Sequence, residues 1–153
     1  MFLINTAIRH VGNKIDHVEE RDRAVYNEFK KRTSGSSDMI DLYMVSEEIA
    51  KAPSPRFWVS TDRALAVVRE INRGKDISAS KPYRREMFLE IYRRVKELRE
   101  QRPELALWDA VYIVVMSPAP EFYMTPRSVY MAINRERKRS RIRRMQSRKR
   151  ATE

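Results

Sequence analysis

The residues that promise the most chemistry are cations near the C-terminal end. Between residues 135 and 153 stand Arg135, Arg137, Lys138, Arg139, Arg141, Arg143, Arg144, Arg148, Lys149 and Arg150, against only Glu136 and Glu153. Ten cations less two acids leave +8 of the chain's net +11, so residues 1–134 carry only +3. A nearly balanced body joined to a dense cationic arm is the asymmetry of a chain with a polyanionic partner. Eight of the ten are arginine, whose planar fork bonds phosphate through two parallel N–H groups and stacks on bases. Ile142 and Met145 form an isolated apolar pair at i,i+3. The arm lacks the Trp/Phe/Leu face of a membrane-surface helix, so no membrane partner is expected.

Upstream of the arm, Thr125-Pro126 is a helix start, with a hydroxyl cap and a proline at the first helical position. The helix it opens turns Arg127, Ser128 and Asn134 outward. An earlier helix opening at Ser60 turns out Thr61, Asp62, Arg63, Arg69, Asn72 and Arg73. Arginine pairs with guanine edges and asparagine with adenine, so these faces are candidate base readers. The candidate nucleic-acid residues are therefore Arg63, Arg69, Arg73, Arg127, Ser128 and Asn134, together with the ten arm cations.

Enzymatic chemistry finds little support. The only histidines are His10 and His17, with Asp16 beside them, and no further run of ligands joins them into a metal site. There is no cysteine, which excludes a disulfide scaffold, thiolate zinc, an iron–sulfur cluster and a cysteine nucleophile. No glycine-rich phosphate loop, nucleophile elbow or pair of carboxylates in an apolar setting is present. The acids of Glu19-Glu20-Arg21, Glu97 near Arg93 and Arg94, and Glu100 near Lys96 have the spacing of surface ion pairs. The expectation is a non-enzymatic protein without metal or cofactor.

The elements that position these residues come from an internal repeat. Pro53-Ser-Pro-Arg-Phe-Trp-Val-Ser-Thr61 aligns with Pro118-Ala-Pro-Glu-Phe-Tyr-Met-Thr-Pro126 at an offset of 65, with Pro53/Pro118, Pro55/Pro120 and Phe57/Phe122 identical. The same offset matches Tyr43 to Trp108 and Ile49 to Val114. Further upstream an offset of 63 matches Val25, Phe29, Lys30 and Lys31 to Phe88, Tyr92, Arg93 and Arg94. Two copies of one unit are the natural source of such phase-preserving matches.

Each copy reads as three helices. In the first they span about 16–33, then 39–50 capped by Asp38 with Ile40, Tyr43, Met44 and Ile49 inward, then 61–73 capped by Ser60 and stopped by Gly74. In the second they span about 82–100, then 105–116 with Pro103 at its first position, then a helix from Pro126. The third runs into the arm and is about 33 Å long if it reaches Gln146. The stretch 105–116 is dense in Val and Ile, so strand competes with helix there. The Pro-x-Pro segments are stiff extended spacers that drive Phe57 and Phe122 into the core and point Trp58 and Tyr123 the other way. Phe57, Leu65, Val68, Ile91, Val111, Val114, Phe122 and Ile133 are the expected core.

The fold class expected from the sequence is all-α: two tandem three-helix, helix-turn-helix-like repeats and a basic C-terminal arm. The divisions are an N-terminal segment 1–15, repeat one at 16–74, a linker at 75–81, repeat two at 82–134 and the arm at 135–153. The long connections 51–60 and 116–125 depart from the short turn of a standard helix-turn-helix. At 153 residues and 42% apolar the chain can bury a core, and no apolar run approaches the roughly 20 residues of a membrane span. The start, Met-Phe-Leu-Ile-Asn, lacks the charged lead of a signal peptide, so a soluble intracellular protein is expected. The expected function is nucleic-acid binding, duplex DNA ahead of RNA. The competing class is an assembly protein whose basic tail is anchored in a larger ribonucleoprotein or virion particle.

Overall fold

The computed structural model describes residues 14–35 and 39–153, with side chains from residue 17 onward. The described residues form six α-helices and no strand: α1 (Lys14–Thr33), α2 (Leu42–Ala50), α3 (Thr61–Asn72), α4 (Pro82–Gln101), α5 (Leu107–Val115) and α6 (Pro126–Ala151). The expected N-terminal segment 1–15 falls almost wholly outside the described residues, and so do His10 and Asp38.

Helix ends follow local chemistry. The Ser60 hydroxyl accepts from the Arg63 N–H at 3.2 Å and starts α3, while Thr125 Oγ1 accepts from the Ser128 N–H at 3.1 Å and starts α6. Gly74, at φ 83°, takes the left-handed conformation that ends α3 at little cost. Two expected starts move. Asp41 caps α2, its carboxylate accepting from the Tyr43 and Met44 N–H groups at 3.0 and 3.3 Å. Pro103 lies in a turn before α5 rather than inside it, and Ala106 is the cap, with no side-chain bond. The stretch dense in Val and Ile is helical because Trp108, Val111 and Val115 bury one face together with Ala110 and Val114.

One expected face is wrong. Ile40, Tyr43 and Met44 are exposed, whereas Ile49 is buried. The inward stripe of α2 is Leu42, Val45, Ser46 and Ile49, at i, i+3, i+4 and i+7, which leaves Tyr43 and Met44 off the packed side. All eight expected core residues are buried.

Helix packing does not follow the order of the sequence copies. α6 packs on α1 and α2, whereas α3 packs on α4 and α5. α6 thus closes on the two helices that open the chain, and α3 on the two that follow it. The connections cross between the two groups. Ser54 and Ala119 face each other in an antiparallel bridge, Ser54 N–H donating to Ala119 O at 3.0 Å and Ala119 N–H to Ser54 O at 2.9 Å.

The two cores meet at this crossing. Phe57 and Tyr123 belong to the core of α3, α4 and α5, and their rings stack at 6.0 Å. Phe122 belongs to the core of α1, α2 and α6, with Trp58 packed against it. Each Phe-aromatic dipeptide thus sends one ring into each core. Tyr123 reaches its place with φ 53°, an unusual conformation for a bulky residue.

Candidate nucleic-acid interface

α6 is 26 residues long, about 39 Å at 1.5 Å per residue, and outruns the expected end at Gln146. Its buried residues Val129, Ala132, Ile133 and Glu136 follow i, i+3, i+4, i+7, so one stripe holds it to α1 and α2. From Arg141 onward every residue is exposed.

The arm cations divide into two sets. Arg135, Arg139 and Arg143, four apart, run down the flank facing α1 and are taken up by buried carboxylates. Asp22 of α1 is fully buried. It accepts from Arg135 Nε at 2.9 Å, from Arg135 Nη2 at 3.2 Å and from Arg139 Nη1 at 2.9 Å. Arg21 Nη2 lies 3.5 Å from the same carboxylate. Glu136, also buried, accepts from Arg143 Nη2 at 2.7 Å and Arg139 Nη1 at 3.5 Å. This network fastens α6 to α1, so three expected phosphate contacts are already engaged within the chain.

The other seven arm cations have no carboxylate partner among the described residues. Arg137 lies over the Phe29 ring at 4.8 Å, and Arg144 donates to Ser140 O at 3.4 Å. Lys138, Arg141, Arg148, Lys149 and Arg150 are exposed. At 100° per residue, Arg127, Asn134, Lys138, Arg141 and Lys149 share an arc of about 80°, and Arg137, Arg144 and Arg148 widen it to about 140°. Arg127 and Asn134, both exposed, therefore continue the face of the arm. Ser128 is half-buried, and its hydroxyl accepts from Thr125 Oγ1 at 2.8 Å, which spends it on the cap.

The candidates on α3 sit elsewhere. Arg63, Arg69 and Arg73 are exposed on a helix of the other core, with Arg63 over the Phe88 ring at 5.9 Å. The outward polar residues around them have inward duties: Asp62 accepts from Trp108 Nε1 at 3.3 Å, and Asn72 Oδ1 accepts from the Tyr92 hydroxyl at 3.1 Å.

A second cationic feature escaped the sequence reading. A cavity of about 400 Å³ lies where α1 meets the first turns of α3 and α4, lined by His17, Arg21, Trp58, Arg63, Arg84 and Phe88 with Val18, Val59, Ser60 and Met87. The His17 and Trp58 rings meet edge-on at 5.7 Å. Burial holds the His17 imidazole below its ordinary range, against the opposing pull of a hydrogen bond to the Trp58 backbone. Among the described residues no group of three or more His, Cys, Asp or Glu could hold a metal, and no helix is long and apolar enough to cross a membrane.

Comparison with known protein families, with curated proteins and with solved structures finds no match to this chain.

Proposed function

We propose that the protein is a non-enzymatic nucleic-acid binder that grips duplex DNA through the outer face of α6. The observation that carries this reading is the sorting of charge on one helix. Three arginines are engaged by buried carboxylates, while seven cations without a carboxylate partner among the described residues face outward or project beyond the core. A row from Arg127 to Lys149 is about 33 Å long, close to one turn of duplex, which suits contact with successive phosphates. Arg127 and Asn134 would supply base contacts, and the exposed arginines of α3 a secondary contact.

The repeat has a place in the same reading. Residues 65 apart, Ser54 and Ala119, are direct antiparallel partners, and each third helix packs with the other copy's first two. That favours two copies of one three-helix unit related by a local two-fold with their third helices exchanged, rather than two units in tandem.

Exposed Ile142 and Met145 on the arm favour the rival reading, anchorage in a larger particle. Salt separates the two. Glutamine at Arg141, Arg144, Arg148, Lys149 and Arg150 leaves both buried carboxylates paired. Each phosphate contact removed should flatten the slope of log affinity against log salt by about 0.9 for duplex DNA. A variant that binds duplex DNA with the parental affinity and slope overturns the proposal and leaves particle anchorage in its place.

A further inference from the structure

We propose that the cavity between α1, α3 and α4 is a binding site for a phosphate monoester carried on a flat apolar body, the chemistry shared by a mononucleotide and an aryl phosphate. The inference does not rest on the α6 reading, because none of the lining residues belongs to α6.

Three observations carry it. First, charge: Arg21 from α1, Arg63 from α3 and Arg84 from α4 converge on the cavity together with His17, and among the described residues no aspartate or glutamate lines it. Arg63 and Arg84 have no ion pair among the described residues. Three arginines from three helices offer positive charge that a dianion would match, and a phosphate monoester is close to a dianion at neutral pH.

Second, a stranded donor. Arg21 Nε is buried and has no hydrogen-bond partner among the described residues, although Arg21 Nη2 lies 3.5 Å from Asp22. A buried unmatched donor costs about 1–3 kcal/mol, and more on a charged group, so such an atom marks a place where a partner belongs. Burial also holds the Arg21 guanidinium below its ordinary value, against the opposing charge of Asp22.

Third, shape. The remaining wall is apolar and aromatic, made by Val18, Trp58, Val59, Met87 and Phe88, and about 400 Å³ falls within the usual range of small-molecule sites. Inorganic phosphate would leave that wall bare, and a neutral aromatic would leave the arginines unmatched. Both halves of the ligand are needed. Among the arginines that line it, Arg63 and Arg84 are exposed and Arg21 is half-buried.

The full chain offers local reporters. Trp58 lines the cavity, and Trp108, in the core of α3, α4 and α5, serves as an internal control. Phenyl phosphate, adenosine monophosphate, inorganic phosphate and phenol are titrated while the indole N–H signals of both tryptophans and the ring signals of His17 are followed by NMR. Phenyl phosphate and adenosine monophosphate should shift Trp58 and His17 saturably and leave Trp108 in place, with inorganic phosphate and phenol at least about tenfold weaker. A bound dianion should also raise the His17 pKa. The groups facing that ring are Arg21, Arg56 and Glu20 with the Trp58 backbone, and the ligand adds negative charge to a mainly cationic setting. The double variant R63Q/R84Q, which breaks no ion pair among the described residues, should weaken phenyl phosphate about tenfold or more. A 5′-phosphorylated trithymidylate binding more tightly than adenosine monophosphate would make a strand end the source; the reverse order would make it a free nucleotide. The proposal falls if Trp58 and His17 show no saturable shift up to about 10 mM phenyl phosphate. It falls equally if inorganic phosphate binds as well as phenyl phosphate, or if R63Q/R84Q binds like the parent.

Discussion

Replacing Asp22 with alanine should weaken the fold more than any other single change of a charged residue in α1. Its carboxylate is fully buried and receives three arginine N–H bonds of 2.9, 3.2 and 2.9 Å. Removing one partner of a buried ion pair costs about 3–5 kcal/mol, because the charge left behind has lost both water and partner. Here the stranded side chains, Arg135 and Arg139, keep 37% and 29% of their surface in water. Solvent softens the loss, so the lower end applies, about 3 kcal/mol. That is a large share of the 5–15 kcal/mol typical of a whole domain. For a chain of this size it lowers the melting temperature by about 6–12 °C. Urea denaturation followed by helical circular dichroism measures it, and a double-mutant cycle with Arg135→Ala isolates the pair, with a coupling of about 1–3 kcal/mol expected. A loss below about 1 kcal/mol, or no coupling, would show that the network is a surface decoration and that Arg135 and Arg139 are free for phosphate after all.

Three further outcomes follow from the same structure. Phe57→Ala removes a fully buried ring from one core and its stacking on Tyr123, and should cost about 3–5 kcal/mol in denaturant titrations; near-parental stability would mean that the crossing is not packed. His17 is held below its ordinary pKa by burial, so the unfolded chain takes up a proton there before the folded one does. Stability should fall as pH drops below about 6.5, and His17→Phe should remove part of that dependence in thermal melts at pH 5 and 7. Burial pushes the Tyr123 hydroxyl up to about 12, so the folded chain keeps its proton where the unfolded one loses it. Stability should therefore decline between about pH 10 and 12, and Tyr123→Phe should flatten that decline.

Local signals carried much of the fold. Ser60, Thr125-Pro126 and Gly74 mark their helix boundaries because a cap or stop is decided by a few neighbouring atoms. The eight expected core positions are buried because period and apolarity agree there. Asp41 was overlooked in favour of Asp38 because two aspartates three apart offer the same cap to the same run. The partner of each third helix was beyond reach, since apolar stripes state that a face is buried and not which helix buries it. The same limit hid the site. Glu136 with Arg139 and Arg143 has readable helical spacing, but Asp22 lies 113 residues from Arg135 and no local pattern joins them. Thus ten arm cations read as one block, and only the packing of α1 against α6 divides them into three that fasten and seven without a carboxylate partner among the described residues. The cavity at Arg21, Arg63 and Arg84 was invisible for the same reason.

The packing of α6 on α1 and α2 bears on the order in which the chain can fold. α1 and α2 find their closing partner only in residues 126–151, which begin 93 and 76 residues beyond their ends, while α3 meets α4 and α5 close by in sequence. Contacts between distant segments form late, because a long loop must close before any energy is returned. The later-made core of α3, α4 and α5 can therefore assemble first, while the apolar faces of α1 and α2 wait uncovered during synthesis. A break in the segment 75–81 would yield two fragments, each holding two helices of one core and one of the other. Neither could close its own core, and together they would re-form both by mutual completion, or each would seek a second copy of itself and exchange the missing helix with it.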